Sequence, residues 1–218
     1  MKVVFEGGGF PAFWYGLGYG LELLENETPI MFAGYSAGSL VAAVLCCCSL
    51  DVDSIIQMYT KLPFGSRFWG MERFIETVMD MILPPNAHEE ANKKLGIILC
   101  DPNNDSKCKL VRHWECRAEL IKCLIASCYI PCLMGCSRCS DELYQCRDPI
   151  FSNDLRTYLL NFEVVVGYPV PENFNILRFC ENMNITSRDR SLMLFEWGAL
   201  SYAQQHIHID ESTNCSKN

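Results

Sequence analysis

The sequence is poor in basic residues and has no cluster of them. It contains 18 lysines and arginines against 26 aspartates and glutamates, which gives the 218-residue chain a formal net charge of -8. Proteins that bind nucleic acid by neutralising its phosphates present a basic patch or stripe. We therefore do not expect nucleic acid as a partner.

The sequence also shows no pattern of a secretory leader and no uninterrupted apolar span. The opening residues MKVVFE contain no signal-peptide hydrophobic region. The uncharged stretch at 28–50 has about the length of a membrane span, but Pro29, Gly34 and Gly38 interrupt its first half. We expect a strand, a sharp turn and a buried helix there, in a cytoplasmic protein.

Repeats and low-complexity segments are absent, and segments of strand and helix character alternate instead. Strands are predicted at 2–6, 29–33, 96–100, 109–113, 162–166 and 176–179, and helices at 11–26, 38–49, 51–62, 67–83, 115–128 and 188–208. Such alternation predicts an α/β fold with three α/β/α layers around a mainly parallel sheet. We expect one domain over residues 1–210 and a polar tail at 211–218.

A serine lies between two glycines at the junction of a predicted strand and a predicted helix. Gly34-Tyr35-Ser36-Ala37-Gly38 matches G-x-S-x-G, in which small flanking residues allow a strained turn to expose the serine hydroxyl. The following helix would place partial positive charge near the serine oxygen. Ser36 is a candidate nucleophile, and a small residue in a tight turn is the alternative interpretation.

A second glycine motif, Gly7-Gly8-Gly9, follows the first predicted strand. Backbone amides without side chains can converge there on an anion. A phosphate-binding loop of the Walker type needs Gly-Lys-Ser/Thr after the loop, and a dinucleotide site needs G-x-G-x-x-G; neither spacing occurs. The remaining role is an oxyanion hole, in which these amides stabilise charge on a carbonyl oxygen.

This ordered set of motifs resembles the patatin-like phospholipases. "GGGF" and "GYSAG" are similar to that family's oxyanion loop and nucleophile motif, and the segments at 83–99 and 119–135 are similar to the branch that contains adipose triglyceride lipase and adiponutrin. "RDPIFSNDL" stands where the family has "DGGxSDNLP", which maps Asp148 onto the catalytic aspartate and Ser152 onto the shared serine. Pro149 and Ile150 replace the two family glycines.

The resemblance implies a serine lipid acyl hydrolase of the phospholipase A or triacylglycerol lipase type. Ser36 would attack a carboxylic ester of a glycerolipid, Asp148 would accept its proton, and Gly7, Gly8 and Gly9 would hold the oxyanion. The implied partners are a lipid substrate and, transiently, a membrane or lipid-droplet surface, to which the aromatic residues at 64–69 are candidates for contact. No cofactor is implied.

Three alternatives stay open at this point. Asp141 is a second candidate acid, and a histidine-assisted esterase would use His206 or His208. Because the Asp148 motif departs from the family's pattern, a catalytically weak lipid-binding or regulatory protein with the same fold is the alternative function.

The 14 cysteines are expected to be reduced and mostly to serve as small buried apolar residues. Cys46, Cys47 and Cys48 point in different directions on a helix and cannot bind one metal ion together; core packing or S-acylation remains for them. Cys136 and Cys139 have C-x-x-C spacing, so a structural zinc in the region 123–146 is an alternative. Without a second spaced pair, we predict no metal site.

Overall fold

The computed structural model describes residues 1–48, 71–101, 103, 107–130, 148–169 and 188–214. The strands in this part of the chain are β1 (Lys2–Phe5), β2 (Met31–Gly34), β3 (Leu95–Asp101), β4 (Lys107–Val111) and β5 (Val164–Val166). The α-helices there are α1 (Gly9–Asn26), α2 (Ala37–Cys47), α3 (Met71–Ile82), α4 (Ala87–Lys94), α5 (Arg117–Ser127), α6 (Leu155–Leu159) and α7 (Arg188–Asn214). A short 3-10 turn, Pro149–Phe151, precedes α6.

The strands form one five-stranded sheet in the order β4-β3-β2-β1-β5. β1 is parallel to both β2 and β5, and β2 is parallel to β3, whereas β4 runs antiparallel to β3. Parallel neighbours require crossover connections, which α1 supplies between β1 and β2. The sheet is therefore mainly parallel with one antiparallel edge hairpin.

The two faces of the sheet bury alternate residues of the central strands. Val3 of β1 and its partner Phe32 of β2 belong to the larger apolar cluster, whereas Val4 and its partner Ala33 belong to a smaller cluster on the opposite face. All four side chains are 0% exposed. A strand that is buried on both faces is rich in apolar residues without alternation, as β1 and β2 are here.

Helices cover both faces and complete the three layers. The larger cluster includes residues of α1, α2, α3, α4, α5 and α7, and the smaller one includes Leu159 of α6. α7 packs on α1 through aromatic pairs, with ring centroids 5.6 Å apart for Tyr15 and Trp197 and 5.3 Å apart for Tyr19 and Tyr202. The predicted α/β fold with α/β/α layers is confirmed.

Several predicted boundaries differ from the observed ones. α1 begins at Gly9 rather than residue 11, and α7 continues to Asn214, beyond the predicted end at 208. The strand predicted as buried at 162–166 is the short edge strand β5, in which Val165 is 46% exposed because β5 pairs with β1 at the end of the sheet. The helix predicted at 51–62 and the strand at 176–179 lie outside the described residues.

The uncharged segment near residues 28–50 is divided as expected. β2 ends at Gly34, and α2, which begins at Ala37, spans 11 residues. Within the described ranges, none of the helices combines the length and the apolar character that crossing a bilayer requires.

Candidate functional site

Ser36 occupies a strained turn between β2 and α2. Its backbone angles are φ 52° and ψ −135°, and it is the residue immediately before α2. Among the described non-glycine residues, only Ser36 has a positive φ. Such a conformation costs on the order of 1–3 kcal/mol and is concentrated at functional sites, so the geometry of this turn fits a nucleophile elbow.

The two glycines that flank Ser36 allow the turn to pack against neighbouring backbone. A Cβ atom on Gly34 would lie 2.2 Å from the carbonyl oxygen of Gly38, and one on Gly38 would lie 2.1 Å from the carbonyl oxygen of Phe5. Both distances are far shorter than a van der Waals contact. The G-x-S-x-G spacing is therefore a steric requirement for α2 to begin directly over the ends of β1 and β2.

The glycine run after β1 lies against the same turn. A Cβ atom on Gly7 would be 2.8 Å from Cβ of Ser36, and Gly8 has a φ of 146°, which favours glycine. α1 begins at Gly9, so the loop brings a helix N-terminus close to Ser36. The structure thus brings together the two glycine motifs that the sequence separates by more than 20 residues.

Tyr35 lies between the glycine loop and Glu6. Burial and the charge of Glu6 raise the pKa of the Tyr35 hydroxyl, whereas the backbone N–H of Gly7, directed at the same hydroxyl, opposes the effect. The Tyr35 hydroxyl donates to Oε1 of Glu6 at 3.5 Å. The Tyr35 ring thus packs against the loop that contains Gly7.

Asp148 is buried beside Ser36. Its side chain is 2% exposed, and the Ser36 side chain is near enough to influence the pKa of its carboxyl group. The N–H of Ile150 donates to Oδ1 of Asp148 at 3.0 Å. Burial raises the pKa of Asp148 to about 6, and the hydrogen bonds from Ser36 and Ile150 partly oppose that rise.

The residues that replace the family glycines keep Asp148 in place. Pro149 opens the 3-10 turn, and Asp148 caps that turn through its bond with Ile150. The proline ring fixes φ near the value that a first helical position needs. Asp148 is therefore buried at the start of a capped turn although Pro149 and Ile150 stand in place of two glycines.

The last residue of α5 contacts Ser36, and Tyr129, just after the helix, contacts Asp148. The N–H of Ser36 donates to Oγ of Ser127 at 3.0 Å, and the Ser127 hydroxyl donates to the carbonyl oxygen of Ile98 at 2.8 Å. The N–H of Asp148 donates to the carbonyl oxygen of Tyr129 at 2.9 Å. No role is predicted for Ser127 from the sequence. The one feature that could have indicated it is the Ser-x-x-Ile-Pro pattern within the segment 119–135.

An apolar groove begins next to this site. Leu40 lies one helical turn after Ser36, and Phe10 directly follows the glycine run. The groove encloses only about 10 Å³ of free space, and its lining is entirely apolar. Its walls come from α1, α2 and α3: Phe10, Phe13, Trp14, Leu40, Phe74, Ile75, Val78, Met79 and Ile82.

Other sequence candidates fall outside this arrangement or outside the described residues. Asp141 and the aromatic segment 64–69 belong to the part of the chain that is not described, as do the side chains of His206 and His208. In the described ranges, no group of three or more histidine, cysteine or acidic residues could hold a metal ion. Cys136 and Cys139 of the alternative zinc site lie outside those ranges.

Comparison with known proteins finds two relatives. The chain is 34% identical over 113 residues to human patatin-like phospholipase domain-containing protein 4, a match covering 48% of this chain and 44% of the relative. It is 30% identical over 145 residues to mouse 1-acylglycerol-3-phosphate O-acyltransferase Pnpla3, covering 60% of this chain and 34% of the relative.

The matched regions span less than half the length of either relative. No family model matches the chain. The two relatives support the patatin-like family for the matched part of the chain.

Proposed function

We propose that this chain, whose relatives support the patatin-like family, is a serine lipid acyl hydrolase that cleaves carboxylic esters of glycerolipids. The observation that carries the proposal is the strained turn at Ser36 together with the buried carboxyl of Asp148, whose pKa the Ser36 side chain influences. A nucleophilic serine needs a base within hydrogen-bond reach. We also propose that the chain belongs to the branch that contains adipose triglyceride lipase, which the segments 83–99 and 119–135 indicate.

In the proposed reaction, Asp148 accepts the Ser36 proton while Oγ attacks the ester carbonyl carbon. The tetrahedral intermediate collapses, the alcohol leaves with the proton from Asp148, and an acyl-serine remains. Water then attacks the acyl-serine, passes its proton through Asp148 to Ser36, and releases the fatty acid. A pKa near 6 for Asp148 gives a stronger base than an ordinary carboxylate, yet one that is ionised at neutral pH.

We assign the oxyanion donors first to the amides of Gly8 and Gly9. These amides stand at the start of α1, where helix N–H groups favour negative charge. Gly7, which lies against Ser36, is the third proposed donor. Removing one oxyanion donor typically costs about 2.7–4 kcal/mol of transition-state stabilisation.

The apolar groove is the proposed binding site for the acyl chain. It starts at Leu40, one turn from Ser36, and its lining offers no polar partner, which suits a hydrocarbon chain. Burial of a methylene group contributes about 0.8 kcal/mol. Because the free space is only about 10 Å³, the lining side chains would have to move apart to admit the chain, and a longer chain would then bind more tightly.

Reaction with a fluorophosphonate probe tests the assignment of Ser36. Labelling of the wild-type protein but not of Ser36→Ala supports an activated serine. Ser201→Ala is the matched control, since Ser201 lies on α7, and it should label like wild type. If the folded wild-type protein is not labelled, the alternative of a catalytically weak lipid-binding protein is favoured.

Acyl transfer is a second candidate activity, because the mouse relative's name states an acyltransferase. An alcohol could replace water in attacking the acyl-serine by the same chemistry. Hydrolysis of a long-chain ester would be compared with and without 1-acylglycerol-3-phosphate. Formation of a diacyl product at the expense of free fatty acid would favour transfer over hydrolysis.

A further inference from the structure

Two cysteines face each other across the β3–β4 hairpin. Cys100 and Cys108 are directly opposite each other in the antiparallel register. The N–H of Cys108 donates to Oδ1 of Asp154 at 2.9 Å, away from β3. This direction is typical of a non-hydrogen-bonded pair, in which the Cα atoms are about 4.5 Å apart and the side chains share one face.

This spacing is within the range that a disulfide requires. Bridged cysteines have Cα atoms about 4.4–6.8 Å apart and Cβ atoms about 3.5–4.5 Å apart. Directly opposite residues have Cβ atoms about 4.5–5.5 Å apart, so a small approach of the two strands is sufficient. In the structure, both cysteines are in the thiol form.

We propose that Cys100 and Cys108 form a reversible disulfide across this hairpin, and that the disulfide changes the contacts of the segment that carries Asp148. The pairing of the two thiols does not depend on any activity of Ser36. It is a modification site distinct from the candidate active site.

The link to Asp148 runs through Ser152 and Asp154. The Cys108 side chain interacts with both of these side chains, and the Ser152 hydroxyl donates to the Asp154 carboxylate. Ser152 directly follows the 3-10 turn that Asp148 caps, and its N–H donates to the carbonyl oxygen of Pro149 at 2.8 Å. Disulfide formation removes the Cys108 thiol proton and turns the sulfur toward Cys100, so these contacts weaken.

The oxidant we propose is a low-molecular-weight disulfide such as oxidised glutathione. Cys108 is partly exposed whereas Cys100 is 1% exposed, so the Cys108 thiolate attacks first and releases one glutathione thiol. The Cys100 thiolate then attacks Sγ of Cys108 in the mixed disulfide and releases the second. Burial raises the pKa of Cys108 to about 11, so thiolate is scarce at neutral pH and the exchange is slow.

Peptide mapping of the folded chain tests the pairing. The protein is incubated with oxidised glutathione, alkylated in acid and digested with trypsin, which cuts after Lys94, Lys107 and Lys109. The expected product joins the peptide 95–107 to the dipeptide 108–109 by a disulfide. Excess dithiothreitol should separate them again.

Two cysteine variants give the matched controls. Cys108→Ser should abolish the linked product, whereas Cys116→Ser, which removes an exposed cysteine, should leave its yield unchanged. Hydrogen exchange over residues 148–155 of the wild type should become roughly threefold to tenfold faster on oxidation, as loss of one net hydrogen bond predicts. The same treatment should leave the exchange of Cys108→Ser unchanged.

Three outcomes would overturn the proposal or part of it. Glutathione that stays on Cys108, or a Cys108 linked to a different cysteine, would refute the pairing with Cys100. A linked product with unchanged exchange at 148–155 would refute the effect on the Asp148 segment. None of these measurements depends on catalysis, so the disulfide proposal can be refuted without refuting the proposed hydrolase function.

Discussion

Replacing Asp148 with asparagine removes a buried carboxylate, and the pH dependence of the free energy of unfolding should change with it. In the folded protein, burial raises the pKa of this carboxyl from 3.8 to about 6. The native state therefore holds the proton more tightly than the unfolded chain does. The contribution of this carboxyl to the free energy of unfolding is greatest below pH 4 and is lost as the pH rises through about 6.

The size of this effect follows from the two pKa values. A difference of about 2 pKa units corresponds to about 3 kcal/mol at 1.36 kcal/mol per unit. Part of the unfolded chain is already ionised at pH 4.5, so about 2 kcal/mol of the loss should occur between pH 4.5 and pH 8. An asparagine does not ionise, and Asp148→Asn should lack this loss.

Urea unfolding of both proteins at the two pH values measures the difference. Any constant cost of asparagine at this position, such as an unpaired amide beside Ser36, cancels when each protein is compared with itself. Asp154→Asn is the matched control on the same segment. Because the hydrogen bond from Ser152 lowers the pKa of Asp154, the contribution of Asp154 is lost only as the pH falls below about 4, so Asp154→Asn should keep the wild-type difference between pH 4.5 and pH 8.

Equal pH dependence in wild type and Asp148→Asn would refute the reasoning. It would mean that the folded carboxyl has an ordinary pKa and is in contact with water. The assignment of Asp148 as the base would then lose its electrostatic support, although its position beside Ser36 would be unaffected.

Four further predictions concern the same site. The rate of fluorophosphonate labelling at Ser36 should rise with pH to a plateau, with a midpoint near 6, because Asp148 must be ionised to accept the proton. A labelling rate that is flat from pH 4.5 to 8 would contradict this role of Asp148. Ser36→Gly should be about 1 kcal/mol more stable than Ser36→Ala in urea unfolding, because glycine relieves the positive φ. Ser127→Ala should lower the free energy of unfolding by about 1–3 kcal/mol, because it leaves the Ser36 amide and the Ile98 carbonyl without this partner. The same variant should react more slowly with the fluorophosphonate probe. Val78→Phe should reduce hydrolysis of long-chain esters more than that of butyrate esters, because it fills the apolar groove; equal loss on both would argue against acyl binding there.

The parts of this fold that the sequence predicted are those that depend on neighbouring residues. The turn at Ser36 could be read from five consecutive positions, since Gly34 and Gly38 are required by backbone contacts within and beside that turn. The sheet class followed from alternating strand and helix segments. The predicted ends of the edge strand β5 agreed less well with the structure, because β5 is only three residues long and a short strand has little periodicity.

Contacts between distant segments could not be predicted in the same way. The proximity of Asp148 to Ser36 was implied only by the family resemblance, since no periodicity links residues more than 100 positions apart. The Cys100–Cys108 pairing depends on the hairpin register, and a shift of one residue would move the two side chains to opposite faces. Ser127 was missed because its bond to Ser36 spans 91 residues.

The end of α5 explains how the site tolerates the altered Asp148 motif. Ser127, the last residue of α5, accepts from the backbone of Ser36, and Tyr129, two residues after the helix, accepts from the backbone of Asp148, so this short segment links the two residues. The side chain of Asp148 then needs only a local turn to face Ser36. A proline with its φ already fixed opens such a turn, whereas glycines would leave that segment freer in the unfolded chain. Substitution of Pro149 and Ile150 for two glycines is thus compatible with a buried Asp148 near Ser36 because the backbone of Asp148 is held by the segment at the end of α5.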